Sequence, residues 1–222
     1  MSNMKRDIVT SAIGILVLTL LLGILYPLVV TGISQVAFPG NANGQRVDDN
    51  GKLVGSKLIG QQFVTQVVKN GKPQVDKDGN PVTQPDPRYF QSRPSATAPP
   101  YNASATTFSN LGPNDVATEQ SIAGYLKAYL ALEKPYDPGL TVSKVPVDAV
   151  NTTASGVDPD ISVANADIQA HRIAAVRHLP MPQVMKLISA NTLGRGLGFS
   201  GEPGVDVLDL NLALDKLTGG SR

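Results

Sequence analysis

The chain has 222 residues, of which 41% are hydrophobic and 17% are charged, and these proportions are typical of a folded protein. It contains no cysteine, which excludes disulfide scaffolds, thiolate zinc sites and cysteine nucleophiles. The charges are unevenly spread, because no Asp, Glu, Lys or Arg occurs between Ile8 and Gln45. This asymmetry excludes a plain cytosolic enzyme.

The first predicted element is a transmembrane helix over residues 8–30. Fifteen of these 23 residues are Leu, Ile or Val. A helix of this length measures about 35 Å, which exceeds the roughly 30 Å of hydrocarbon in a bilayer. A cleaved signal peptide is the alternative, but its apolar region is usually about 7–15 residues long. The best cleavage candidate, residues 35–37, also has Gln35 where a small residue is preferred, so an uncleaved anchor in the lipid bilayer is the better interpretation.

The flanking charges predict how this helix is oriented. Lys5 and Arg6 precede the span, and the first basic residue after it is Arg46. The positive-inside rule therefore predicts a cytoplasmic N-terminus at 1–7, a linker at 31–43 and an extracytoplasmic domain at 44–222.

The domain after the helix carries no net charge. Two of the 19 basic residues and one of the 18 acidic residues precede residue 31, so basic and acidic residues balance in the remainder. A neutral domain lacks the basic patch with which proteins bind nucleic acid, and we expect no nucleic-acid partner.

Residues 44–90 are predicted to form β-hairpins. Three dipeptides are typical of two-residue turns: Asn50-Gly51, Asn70-Gly71 and Asp78-Gly79. The flanking strand candidates are 53–54, 57–59 and 63–68. We therefore expect small antiparallel sheets at the start of the domain.

The second half of the chain is predicted to contain three helices and two strands. The helices are a segment capped by Asn114 or Asp115 and ending near residue 133, a segment capped by Ser162 and ending before Pro180, and residues 182–191. Residues 208–215 alternate Leu with polar or small residues, which favours a half-buried strand, and residues 145–147 give another short strand. One transmembrane helix followed by a single mixed domain of hairpins, helices and a C-terminal strand makes the fold class α+β.

Two motifs in the domain have a structural rather than a catalytic interpretation. Gly196, Gly198 and Gly201 match the dinucleotide-binding spacing, but they follow a helix and precede Pro203, so we expect a glycine-rich turn. Residues 93–114 are rich in uncharged amides and hydroxyls, which tie down loops or contact a partner. This segment contains no acid–base pair, so catalysis is the weaker interpretation.

Several blocks of the chain resemble the C subunit of the Kdp potassium-transporting ATPases, the KdpC family. They are GSKLIGQQF at 55–63, YFQSRPSA at 89–96, YN at 101–102, SNLGPN at 109–114, VPVDAV at 145–150, ASGVDP at 154–159 with IS at 161–162, and GEP at 201–203 leading to LNLALD at 210–215. Their order, their spacing and the N-terminal anchor all agree, so the resemblance covers nearly the whole chain.

This resemblance implies a non-catalytic accessory subunit of an ATP-driven, high-affinity potassium uptake pump in the bacterial inner membrane, with its main domain in the periplasm. Its expected partners are a channel-like potassium-translocating subunit, a P-type ATP-hydrolysing subunit and a small single-span subunit. The family's role is that of a catalytic chaperone, needed for assembly, that raises the ATP affinity of the P-type subunit. No cofactor is expected to bind tightly, and contact with ATP is implied by the resemblance only.

The predicted contact or loop-fixing residues lie in or near the polar segments of these blocks. They are Gln61, Arg93, Tyr101, Asn102, Asn110 and Asn114. No catalytic residue and no metal ligand is predicted. The chain departs from the family pattern at Thr107 and Phe108, where glycines are usual, and at Asp160, where His is usual.

Two other classes remain as alternatives. A membrane-tethered periplasmic hydrolase or binding module would use polar residues of the domain, with Ser95, Ser109, Asp158 and Glu202 as the candidates. An anchored pilin-like protein would form filaments through its N-terminal helix, but this apolar segment has no early Glu.

Overall fold

The computed structural model describes residues 2–105 and 110–219, so Thr107, Phe108 and Ser109 lie outside the described residues. The chain divides into two compact units, residues 1–54 and residues 55–222.

The first unit is dominated by one long apolar helix. It consists of α1 (Ser2–Leu20), a π-helical turn (Leu21–Leu25) and α2 (Tyr26–Ala37). Pro27 has no N–H to donate, and in the turn before it the N–H of Tyr26 reaches back five residues to the Leu21 carbonyl. The segment from residue 3 to residue 37 measures about 50 Å as a helix and is long and apolar enough to cross a membrane. The apolar helix predicted over 8–30 is therefore confirmed and extends at both ends.

A short helix and a hairpin follow. Helix α3 spans Pro39–Ala42, strand β1 spans Arg46–Asp49, and strand β2 spans Lys52–Ser56 and pairs with β1. Asn50 and Gly51 connect the strands with φ of 51° and 77°. These left-handed conformations are the ones that an Asn-Gly turn favours, so the predicted hairpin is confirmed.

The second unit begins with two further antiparallel pairs. Strand β3 (Val64–Gln66) pairs with β6 (Thr83–Pro85), and β4 (Val68–Lys69) pairs with β5 (Lys72–Pro73). The strand predicted at 57–59 is wrong. There the chain turns, because the Ser56 hydroxyl accepts a hydrogen bond from the Leu58 N–H at 3.1 Å and replaces a ladder bond.

All three helices predicted in the domain are confirmed. Helix α4 spans Val116–Glu133, α5 spans Val163–Arg177 and α6 spans Met181–Ala190. Asp115, rather than Asn114, caps α4 by accepting a hydrogen bond from the Ala117 N–H at 2.8 Å. Ser162 caps α5 by accepting one from the Asn165 N–H at 3.1 Å.

A three-stranded antiparallel sheet lies among these helices in the order β7-β9-β8. The strands are β7 (Asp160–Ser162), β8 (Thr192–Leu193) and β9 (Gly204–Asp206). The glycine-rich segment joins β8 to β9 as a hairpin loop, with an antiparallel bridge between Gly196 and Ser200. The predicted turn is confirmed.

The strand predicted over 208–215 is wrong, because the structure has helix α7 (Val207–Thr218) there. Asp206 caps the helix by accepting a hydrogen bond from the Asp209 N–H at 2.8 Å, and Gly219 ends it with φ of 67°. The alternating leucines are all buried, but so are the polar side chains of Asn211, which lies between them, and Asp215, which follows the last one. Helix α7 is surrounded by other residues on nearly every side, so its sequence does not show one apolar face opposite one polar face.

The strand predicted at 145–147 is also wrong. One 3₁₀ turn, Val142–Lys144, ends just before this segment, and a second, Val147–Ala149, begins at its last residue. Pro146 separates them and cannot donate to a strand ladder. The Asp148 carboxylate then accepts hydrogen bonds from the backbone N–H and the hydroxyl of Ser162, both at 2.8 Å, which holds the turn against the start of α5.

The hydrophobic core of the second unit is contributed mainly by α5, α6, α7 and the three-stranded sheet. Its fully enclosed apolar side chains are Phe90, Leu140, Ile161, Ala166, Ala170, Ile173, Val184, Ile188, Val205, Val207, Leu210 and Leu214. The α+β fold class with one N-terminal apolar helix is confirmed.

Candidate functional site

A cleft of about 410 Å³ opens on the second unit between α4 and the pair formed by β3 and β6. Its walls carry glutamines, serines, prolines and tyrosines. The lining residues are Gln61, Gln62, Val64, Thr83, Gln84, Pro85, Gln91, Ser92, Pro94, Ser95, Pro100, Tyr101, Tyr125, Ala128, Tyr129, Leu132 and Ala149. None of these described lining residues carries a formal charge. The cleft can therefore offer hydrogen bonds and aromatic surface to an uncharged partner segment.

Tyr101 forms one wall of this cleft and is held by its own loop. Its hydroxyl donates to the Arg93 carbonyl, and its backbone N–H donates to the Ser95 hydroxyl oxygen at 2.9 Å. Burial raises the pKa of its phenol above the ordinary value. An added Cβ on Gly60 would meet the Asp158 carbonyl oxygen at 2.5 Å and the Tyr101 ring at 2.7 Å, which explains why this position is glycine.

Arg93 holds the loop at residues 151–152 in place. Its guanidinium donates to the carbonyls of Asn151 and Thr152 at 2.8 and 3.0 Å and lies 3.7 Å from the carboxylate of Asp158. These hydrogen bonds to backbone carbonyls hold residues 151–152 against the segment that forms the cleft.

Gln61 lies in the cleft on a closely packed turn. An added Cβ on Gly55 would come within 1.9 Å of the Gln61 amide nitrogen, so glycine at 55 makes room for that side chain. Gln61 and Tyr101 are therefore brought together in the cleft, as lining residues of one surface.

The three predicted asparagines lie elsewhere. The side-chain oxygen of Asn102 accepts hydrogen bonds from the N–H and the hydroxyl of Ser104, at 3.0 and 2.6 Å, and so fixes a local turn. Asn110 is exposed with φ of 55°, a conformation that Asn tolerates better than most residues. Asn114 is exposed just before the cap of α4.

A buried polar network behind the cleft was missed by sequence reasoning. The side chain of Gln169 accepts from the Gln91 N–H at 2.7 Å and donates to its carbonyl at 3.0 Å. The Asn211 amide does the same for Phe90, at 2.9 Å in both directions. Side-chain amides from two helices, α5 and α7, thus satisfy the backbone N–H and C=O groups of the extended segment 90–91. In a sheet, a neighbouring strand would supply these hydrogen bonds.

An enclosed ion pair continues this network. Arg172 donates to the Glu133 carboxylate at 3.0 Å and to the carbonyls of Pro87 and Tyr89 at 2.6 and 2.8 Å. Burial raises the pKa of Glu133, while Arg172 opposes that shift. One signal for the network was available in the sequence: Asn165, Gln169 and Arg172 recur at helical spacing beside the apolar face of α5.

Ser95, Asp158 and Glu202, the described residues of the hydrolase alternative, have different partners, and Ser109 lies outside the described residues. Ser95 donates to the Gly156 carbonyl at 2.6 Å, and Glu202 pairs with Arg195 at 2.7 Å on the surface. Within residues 2–105 and 110–219, no group of three or more His, Asp or Glu side chains could hold a metal ion. The uncharged cleft lining also offers no Lys or Arg for the phosphates of ATP, which proteins commonly hold through basic side chains.

Comparison with known proteins identifies a single family across the chain. A sequence model described as "K+-transporting ATPase, c chain" and named KdpC matches residues 8–216. The chain is 44% identical over 204 residues to a "Potassium-transporting ATPase KdpC subunit" from Methylococcus capsulatus, covering 91% of this chain and 94% of the relative. Proteins with the same description are 45% identical in Methylobacterium nodulans, covering 91% and 92% of the two chains, and 40% identical in Mycobacterium bovis, covering 96% and 100%.

Proposed function

Since this chain belongs to the KdpC family of potassium-transporting ATPase subunits, we propose that it is a non-catalytic accessory subunit of a potassium uptake pump. The folded domain of this subunit lies on the extracytoplasmic side of the inner membrane. The observation that carries the proposal is the family match over residues 8–216, which includes both the apolar helix and the folded unit. Its partners are a channel-like potassium-translocating subunit, a P-type ATP-hydrolysing subunit and a small single-span subunit.

The orientation follows from the charges beside the apolar helix. Lys5 and Arg6 hold the N-terminus in the cytoplasm, and the uncharged segment up to Gln45 leads to the outside. The folded domain is then separated by the bilayer from cytoplasmic ATP. Any effect on ATP affinity must therefore pass through the pump's conformations and not through contact with the nucleotide.

Such coupling requires the chain to bind one pump conformation more tightly than another. Suppose that this subunit prefers the pump conformation that has the higher ATP affinity. Binding of the subunit then strengthens ATP binding, and ATP binding strengthens binding of the subunit by the same free energy. A coupling of about 1–3 kcal/mol changes apparent affinity roughly 5- to 150-fold. The subunit would thus act as a catalytic chaperone without any reacting group of its own.

The cleft between α4 and β3–β6 is the proposed docking surface for the channel-like subunit. Its amide and hydroxyl groups can bind uncharged backbone and side chains, and its tyrosines supply rigid contact area. Gln61 and Tyr101 would contact the partner directly, whereas Arg93 and Asn102 hold the loops that shape the cleft. Asn110 and Asn114 would contribute from the exposed approach to α4.

The central test is potassium-stimulated ATPase activity of the pump purified with and without this chain. We expect the apparent KM for ATP to be several-fold lower when the chain is present, because it favours the conformation that binds ATP. Equal KM values with and without the chain would contradict the chaperone role. Failure of the chain to co-purify with the other subunits would contradict the accessory-subunit role itself.

A pair of matched variants tests the cleft. Gln84→Arg adds a charge to an exposed lining residue, whereas Gln120→Arg adds the same charge to exposed α4 outside the lining. We expect Gln84→Arg to lower co-purification with the channel-like subunit about tenfold or more, since an unpaired charge is costly in an interface. Equal recovery of the two variants would remove the cleft from the docking surface.

A further inference from the structure

The hairpin loop between β8 and β9 exposes large apolar side chains at its tip. Leu197 is 91% exposed, Phe199 is 75% exposed, and Leu193 at the base is 58% exposed. Single exposed apolar residues are common on protein surfaces, but here two lie at one loop tip and a third lies at the end of β8 below it. Exposed apolar side chains that cluster in this way mark interaction sites.

This loop is closed by regular hydrogen bonds. Gly196 and Ser200 exchange two backbone hydrogen bonds, each 2.8 Å long, directly below the tip. Further down, Thr192 pairs with Val205, and Val205 is fully buried in the three-stranded sheet. The tip is therefore a turn supported by the core and not an independent segment.

Leu197 has a backbone conformation that disfavours its side chain. Its φ is 53°, in the left-handed region, and Gly198 follows with φ of 82°. Asn or Gly would fit this position with less strain, since Cβ crowding penalises leucine there. Leucine at 197 gains no burial within the described residues either, because it is almost wholly exposed. A contact beyond the described residues would supply that benefit.

The charges at the base of the loop are already paired. Arg195 donates to the Glu202 carboxylate at 2.7 Å across the hairpin, so this pair carries no net charge. The tip itself, residues 196–200, carries no charged side chain. Such a tip is complementary to an uncharged apolar hollow, and these described residues offer no cation to the anionic headgroups of a membrane.

We propose that Leu197 and Phe199 insert into an uncharged apolar hollow on the extracytoplasmic surface of another subunit of the pump. This inference rests on the proposed function, and it names a second contact distinct from the cleft. The apolar helix of the same chain provides another attachment in the same assembly, so even a small contact at the tip gains from a high effective concentration.

Two other occupants fit the observations less well. A second copy of this chain paired tip to tip would bury only a few hundred Å², well below the roughly 1,200 Å² of a stable interface. The acyl chains of a bilayer accept apolar side chains in any backbone conformation, so lipid would not require the strained presentation of Leu197.

The test is co-purification of full-length variants with the other pump subunits after co-expression. Leu197→Asn relaxes the backbone and removes the apolar group, and Phe199→Asp places a charge at the tip. We expect each to lower recovery of the channel-like and P-type subunits at least tenfold. Val147→Asp, at another strongly exposed apolar residue, is the matched control and should leave recovery unchanged.

Stability separates an interface role from a structural one. We expect Leu197→Asn to unfold at the same or a higher denaturant concentration than the wild type, although its association is weaker. Wild-type recovery of both Leu197→Asn and Phe199→Asp would overturn the inference, while the wild-type complex would still support the proposed function. Loss of the wild-type complex would remove that function and, with it, the premise of this inference.

The bilayer alternative has its own readout. The chain contains no tryptophan, so Phe199→Trp introduces a single indole, which can be excited apart from the six tyrosines, into the full chain reconstituted alone in phosphatidylcholine vesicles. We expect emission typical of a solvent-exposed indole and no quenching by brominated acyl chains. Strong quenching would assign the tip to lipid and contradict insertion into a protein partner.

Discussion

Asp160 lies in the middle of a group of acidic residues at the edge of the three-stranded sheet. It is paired across the ladder with Asp206, and its Oδ1 is buried without a hydrogen-bond partner among the described residues. Burial, together with the charges of Asp206 and Asp158, raises the pKa of Asp160 to about 6 from an ordinary value of 3.8. The folded protein therefore binds this proton more tightly than the unfolded chain does.

This difference predicts a loss of stability as the pH rises. Below pH 4, Asp160 is protonated in both states, and between about pH 4 and 6 only the folded state keeps the proton, so the free energy of unfolding falls across that window. Asp160→Asn has no proton to lose here, so the fall that Asp160 causes should be absent from the free energy of unfolding of this variant. It should be more stable than the wild type at pH 7.5, as measured by urea unfolding of the full chain in detergent. Asp78→Asn, at an exposed turn, is the control. Parallel pH profiles for the wild type and Asp160→Asn would contradict the assignment.

At the scale of elements, the extended segment at Phe90 and Gln91 depends on helices for its hydrogen bonds. Asn211 of α7 satisfies both backbone groups of Phe90 at 2.9 Å. Asn211→Leu keeps the branching at Cγ but leaves a buried N–H and a buried C=O unpaired, which should cost about 2–4 kcal/mol of unfolding free energy. Asn114→Leu, at an exposed position, should change stability by about 0.5 kcal/mol or less. Equal costs for the two variants, measured by chemical unfolding, would show that α7 does not hold this segment.

The same helix shows why part of the fold could not be predicted from the sequence. Elements with local signals were predicted well: Asn50-Gly51 gave a hairpin, and the capping residues Asp115 and Ser162 gave α4 and α5. Helix α7 was predicted wrongly because its buried polar residues are satisfied by distant partners, which leave no local pattern. Asn211 pairs with Phe90, 121 residues away, and Asp215 pairs with Tyr89, 126 residues away, and with Arg177, 38 residues away. The local signals of α7 were the Asp206 cap and Gly219, which compete with an alternation of leucines typical of a strand.

The candidate site was predictable in part for a similar reason. Gln61 and Tyr101 belong to separate sequence blocks, and only the fold brings both into one cleft. The blocks identified the polar segments that surround it, but residue type alone could not separate a cleft-lining side chain from a loop tie such as Arg93. The exposed tip at Leu197 was likewise seen in the sequence only as a turn, because spacing of glycines says nothing about which side chains the turn presents.

At the scale of the whole molecule, the proposed function depends on which side of the membrane the folded domain occupies. The chain has no cysteine, so single cysteines can report the topology of an otherwise unreactive protein. Ser143→Cys lies on the exposed surface of the folded unit, and Asn3→Cys lies at the start of the apolar helix. In intact cells, a membrane-impermeant maleimide should label Ser143→Cys and should label Asn3→Cys only after the inner membrane is permeabilised. Labelling with the opposite pattern would place the domain in the cytoplasm, on the side where ATP is bound, and direct contact with nucleotide would then replace transmembrane coupling as the mechanism to test.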